Sequence, residues 1–189
     1  MTDARIRLRL MALASPALPV GGFSYSDGLE SAIDAGSVSD EVSTQRWLTD
    51  QLELQLARSE LPLVAQAIEA WTQHDNDRIA QLNDWLLATR ESAELRAQTE
   101  QMGRSMLPWL RNSAERDDPR IAALAGLAPA PGWPLAFALA GVLAGAGRRD
   151  AMLAFAFGWA ENMVQAALKA VPLGPVSYTH LTLPTNREV

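Results

Sequence analysis

Apolar residues recur every three or four positions through most of this chain, and no stretch between residues 39 and 111 alternates strictly. Leu48, Leu52 and Leu56 fall at i, i+4 and i+8 with Trp47 and Leu54 flanking them, which predicts an amphipathic helix capped by Ser39. Val64, Ala67, Ile68 and Trp71 form the next stripe, with a break expected at Leu61-Pro62 and Pro62 in the first turn of a restarted helix. A polar turn at His74-Asp75-Asn76 separates that stripe from Ile79, Leu82 and Leu86. Residues 7–13 predict a short packing helix. Residues 24–35 predict another, opened by Ser24 with Asp27, containing Gly28 and closed by Gly36. The class is all-α, a single-domain bundle of about eight helices.

The second half is more uneven. Residues 89–112 read as the most charged helix, with Arg90 and Glu94, Arg96 and Glu100, and Glu100 and Arg104 each at i, i+4. Such pairs contribute about 0.2–0.5 kcal/mol each and imply no more than a solvated face. Pro108 predicts a kink near Gly103-Arg104 or a new helix starting near Leu107. Residues 112–119 read as a polar loop and 128–134, with three prolines, as a hinge. No charge occurs between residues 121 and 147, but the prolines cut this run below the roughly 20 helical residues that cross a bilayer, so no membrane span is expected. Residues 135–146, rich in Ala and Gly, predict an interior helix. Residues 150–171 show two apolar faces, one through Leu153, Phe157 and Val164 and one through Met152, Phe155, Trp159 and Met163, with only Glu161, Gln165 and Lys169 as a polar line. A helix so nearly apolar all round is expected at the centre of the bundle.

Between the first two helices lies a corner at residues 14–30. Pro16 and Pro19 end any helix that reaches them, and Gly21-Gly22 offers positive φ or a close backbone approach. The corner serves either as a structural elbow alone or also as a contact surface.

Composition narrows the function classes. The 189 residues carry a net charge of −6, which argues against nucleic acid as a partner. There is no cysteine, hence no disulfide framework and no thiolate nucleophile, consistent with a reducing compartment. Arg5, Arg7 and Arg9 precede an apolar stretch, but Arg9 and Pro16 leave it too short for a secretory signal. The 2 histidines, His74 and His180, provide no local metal shell. Gly21-Gly22 is not followed by the Gly-Lys-Ser/Thr of a phosphate loop, and no nucleophile elbow is present. Glu91 and Glu94 could share a helix face as acid and base, or simply pair with Arg90 and Arg96. No catalytic, cofactor-binding or metal-binding residue is nominated.

Three segments in order resemble the UreF family of urease accessory proteins. They are Ser15-Pro16-Ala17-Leu18-Pro19-Val20-Gly21-Gly22-Phe23-Ser24-Tyr25-Ser26 with Gly28-Leu29-Glu30, then Thr89-Arg90-Glu91 through Glu94-Leu95-Arg96 to Gln101-Met102-Gly103, then Lys169-Ala170-Val171-Pro172-Leu173-Gly174. The resemblance implies an all-helical cytoplasmic homodimer that binds the accessory protein UreD (also called UreH). It further implies recruitment and regulation of the GTPase UreG while nickel is delivered to the urease apoprotein. Phe23, Tyr25 and Glu30 at the corner, Arg90 and Glu94 on the charged helix, and Lys169 are the candidate partner-binding residues. Each has a structural alternative: packing for Phe23 and Tyr25, and pairing with each other for Arg90 and Glu94. Residues 1–174 form the UreF-like domain in this reading. Residues 175–189 depart from the family pattern and are expected to be a disordered or foreign tail. Two other readings remain open, a small helical enzyme using Glu91 or Glu94 with Arg90, and a purely structural helical dimer.

Overall fold

A computed structural model of the chain describes residues 2–22, 25–173 and 181. All regular secondary structure among the described residues is helical, with no strand among them. The elements are α1 (Asp3–Ala14), α2 (Leu29–Asp34), α3 (Glu41–Gln51), a π-helical segment (Leu52–Glu60), α4 (Leu61–Gln73), α5 (Asn76–Ala88), α6 (Ala93–Arg111), α7 (Pro119–Ala125), α8 (Trp133–Leu143) and α9 (Arg148–Ala170).

The expected break at Leu61-Pro62 is absent. Helical backbone continues from α3 through the π segment into α4, and the Leu61 N–H donates to the Leu56 carbonyl five residues back. Proline cannot make the bond to the carbonyl four residues back and its ring crowds that carbonyl. The wider π turn just before Pro62 absorbs both effects. Counting this rod as one, the described residues hold eight helices, as expected. Pro108 likewise starts no new helix. It is exposed in the last turn of α6, where the carbonyl it leaves unbonded is near solvent.

Local chemistry explains the ends. Asp40, not Ser39, caps α3, its carboxylate accepting from the Ser43 N–H at 2.8 Å while the Ser43 hydroxyl accepts from the Asp40 N–H at 3.1 Å. Asp75 and Ser92 accept from the N–H groups of Arg78 and Leu95 at the starts of α5 and α6. Gly36 (φ 74°) closes α2: its own N–H donates to the Ile33 carbonyl and that of Ser37 to the Ala32 carbonyl, the Schellman arrangement. The helix expected over 24–35 is shorter. It starts at Leu29 because Gly28, at φ 90°, is outside the helix as its N-cap rather than within it.

The centre of the bundle is α8, correcting the expectation that the last helix holds that place. Every residue from Pro134 through Gly141 is buried, walled chiefly by α4 and α6. The Trp71 indole of α4 donates to the Leu135 carbonyl at 3.0 Å, and Trp133, Phe137 and Phe155 form a cluster of ring contacts. On α9, by contrast, Leu153 is 57% and Phe157 53% exposed while Val164 on the same face is buried, so that face lacks cover only in its first half.

The stretch 128–134 is a pinned strap rather than a hinge. The Asn83 amide donates to the carbonyls of Pro129 and Ala130 and accepts from the Gly132 N–H at 2.9 Å, while the Trp133 N–H donates to the Thr99 hydroxyl. Gly103 of α6 lies so close to the strap that a Cβ there would stand 2.0 Å from the Pro131 carbonyl oxygen.

Candidate partner-docking site

The corner after α1 is held by short backbone bonds, Leu18 N–H to the Ser15 carbonyl and Val20 N–H to the Leu18 carbonyl, with Leu18 and Val20 buried. Gly21 adopts φ 81°. Gly22 is buried where a Cβ would meet the Asn162 side chain of α9 at 3.0 Å and Met102 of α6 at 3.2 Å. Both glycine roles expected of the corner are therefore used, positive φ by the first and close approach by the second.

Asp27 ties the corner to two helices. One carboxylate oxygen accepts from the Gln98 amide of α6 at 2.8 Å and the other from the Trp159 indole of α9 at 3.0 Å. Behind it, Arg90 forms an ion pair with Glu60 at 2.6 Å, the two side chains being only 13% and 14% exposed. Burial pushes the Glu60 carboxyl above the usual carboxylate range; Arg90 draws it back, and the nearby Asp27 charge pushes it further up. Arg90 Nε and Asn162 Oδ1 are buried with no hydrogen-bond partner among the described residues. These groups line a cleft of about 80 Å³ beneath the corner, together with Leu18, Phe137 and Met163.

A second, outer hollow of about 240 Å³ opens between the corner and the end of α9, lined by Tyr25, Ser26, Leu29 and Glu30 on one side and Ala166, Lys169 and Ala170 on the other. Leu29 is fully buried at its floor, in the same cluster as Ala167 and Val171. Glu30 and Lys169 are exposed, and Lys169 lies in the last turn of α9, where a cation is favourable. The Tyr25 hydroxyl donates to the Gln101 side-chain carbonyl at 2.6 Å, fixing the ring at the rim of both hollows.

Of the six sequence-predicted residues, Tyr25, Glu30 and Lys169 thus converge. Arg90 stands apart in the inner cleft. It precedes the Ser92 cap of α6 instead of lying on that helix, and it pairs with Glu60, which corrects the expected Arg90–Glu94 pair. Glu94 is exposed in the first turn of α6, its carboxyl held below the usual range by its own backbone N–H and by Ser92. An exposed, readily ionised carboxylate without Arg90 beside it is the reverse of a tuned general acid. The other two spaced pairs on α6 form, Arg96–Glu100 at 3.0 Å and Arg104–Glu100 at 3.3 Å. Phe23 lies outside the described residues, as does the expected tail over 175–189 apart from Leu181, which is buried in a cluster with Leu48, Met163 and Val164.

Sequence reasoning missed Asp27, Glu60, Gln98, Trp159 and Asn162 as members of the site. One signal was present for Glu60, which falls in the apolar row Leu56, Val64, Ala67, Trp71 as a lone charge. Asn162 similarly follows Phe155 and Trp159 on an apolar row of α9.

The UreF family model matches residues 38–184. A urease accessory protein UreF from Methylibium petroleiphilum is 62% identical over 173 residues, covering 92% of this chain and 73% of the relative. One from a Polaromonas species is 58% identical over 167 residues, covering 88% and 71%. Another, from Cupriavidus metallidurans, is 43% identical across 100% of this chain and 82% of its own length. With a family model spanning most of the sequence and relatives at this identity, the chain belongs to the UreF family, whose members are accessory proteins and not catalysts.

Proposed function

We propose that this chain works in urease maturation as a scaffold: it binds UreD (UreH), recruits and regulates the GTPase UreG, and so gates delivery of nickel to the urease apoprotein. The site of action is the cytoplasm and the working form a homodimer. The observation that carries the reading is the outer hollow. Tyr25 and Glu30 from the first family-like segment and Lys169 from the third, far apart in sequence, line one groove beside the corner. The groove offers a fixed aromatic ring, a carboxylate and an ammonium at its edges, features by which a protein surface is recognised rather than a substrate turned over.

Regulation in this scheme is differential binding. Contacts that favour one nucleotide state of UreG shift its equilibrium by no more than the affinity difference between the states. The rigid body supplies the other requirement: Asp27, Gln98 and Trp159 hold the corner in place, so little ordering is needed on association. Among the described residues, no helix is long and apolar enough to cross a membrane.

The test is co-expression of the tagged chain with UreD-type and UreG-type proteins, followed by affinity purification with GTP or GDP. The reading predicts retention of both, with UreG retention dependent on nucleotide and weakened at least tenfold by Glu30→Lys with Lys169→Glu. Retention of neither protein would overturn it.

A further inference from the structure

Outside the corner groove, two rows of large apolar side chains on α1 and α9 stand in solvent. Leu8 and Met11 of α1 are 67% and 68% exposed, and Leu153 and Phe157 of α9 are more than half exposed. The rows are neighbours. Gly158 of α9 lies against Ala14 of α1, where a Cβ would come within 3.3 Å of the Ala14 backbone, and Arg9 of α1 reaches the Leu143 carbonyl just before α9 begins. The two helices therefore run in the same direction, with Phe157 one residue from the crossing and Met11 one turn before it. Apolar side chains of this size, grouped and not scattered, mark an association surface.

The charges around the rows indicate what covers them. Arg5, Arg148 and Arg149 are exposed and form no ion pair among the described residues; Arg7 pairs with Asp3 and Arg9 with Glu115, and Asp150 is an exposed acid beside Arg148 and Arg149. The rim is thus net basic on a chain of net charge −6. A second copy would present the same arginine excess to itself, so charge complementarity favours a different occupant.

We infer that the α1–α9 face docks a second protein through an apolar stripe flanked by carboxylates, separately from the corner groove. The inference rests on the scaffold reading, because a scaffold needs two faces to hold two proteins at once. Basic rim residues set the encounter and its salt dependence, and the Met11–Phe157 rows supply the lasting contact.

The experiment uses the full chain with the co-expressed UreD-type and UreG-type proteins. Leu153→Asp with Phe157→Asp is expected to weaken retention of one of them at least tenfold while the other stays bound and the melting temperature holds. Arg148→Glu with Arg149→Glu, which leaves the apolar rows intact, is expected to weaken the same partner and to flatten its salt dependence. Unchanged retention in both variants overturns this inference and leaves the scaffold reading standing. So does sedimentation showing that the apolar variant only converts a dimer of this chain into monomers. If the unaltered chain retains neither protein, the scaffold reading falls and this inference falls with it.

Discussion

Arg90 and Glu60 show how a single pair can be both costly and necessary. Each is largely removed from water, and the Glu60 carboxyl is raised by that burial even with a guanidinium 2.6 Å away. Removing one partner of an enclosed pair leaves the other charge uncompensated, so Arg90→Ala is expected to destabilise the chain by about 3 kcal/mol at neutral pH. The sign of the pH dependence follows from the direction of the shift. A carboxyl raised in the folded state binds its proton more tightly there than in the unfolded chain, so its ionisation weakens folding as pH rises through the raised value. The Arg90→Ala loss should therefore shrink as pH falls toward 4.5, the ordinary value of the group, which urea denaturation at the two pH values checks. Gly103 is a residue of another kind. A Cβ at 2.0 Å from a backbone oxygen forces the strap or α6 to move, and Gly103→Ala should cost about 1–3 kcal/mol in the same assay.

Among the elements, α8 carries the packing and α9 carries the exposure; the sequence marked α8 as interior but put the last helix at the centre. The uncharged, Ala-rich and Gly-rich run after Pro134 has no face that could meet water, so an interior helix was the single consistent reading. For α9 the periodicity displayed two apolar faces but could not say how far along the helix each is covered. Leu153 and Phe157 are exposed, whereas Val164 further along the same face is buried. Boundaries failed where a neighbouring residue does the same job: Asp40 caps in place of Ser39, and a π turn replaces the break at Pro62. The site was half legible. Tyr25, Glu30 and Lys169 were named singly and the fold lines them along one hollow, whereas Arg90 was assigned to a helix that starts after it, because spacing gives i, i+4 neighbours only once the cap is known. Two stability measurements belong at this scale. Leu139→Ala in α8 should cost about 2–5 kcal/mol, since no solvent reaches the gap. Glu100→Gln in α6 should cost no more than about 0.5–1 kcal/mol, and less at high salt, its two arginine partners being half exposed.

The whole molecule is a rigid, catalytically silent body whose corner is clamped by Asp27 and whose far side is knitted by ion pairs. Arg9 pairs with Glu115 and Arg120 with Asp118, and hydrogen bonds from these arginines hold both carboxyls below their usual range. A lowered carboxyl stabilises the fold at neutral pH, and that contribution is lost as pH falls through the lowered value. The melting temperature should therefore drop in acid below the ordinary carboxylate range, and Arg120→Ala should flatten that drop. Function in this account comes from holding other proteins in position, and urease activation reports it most directly. In cells that lack their own UreF, expression of this chain should restore urease activity, while the Glu30→Lys, Lys169→Glu variant, folded and equally abundant, should not. Full activation by that variant, or none by the unaltered chain, would contradict the account.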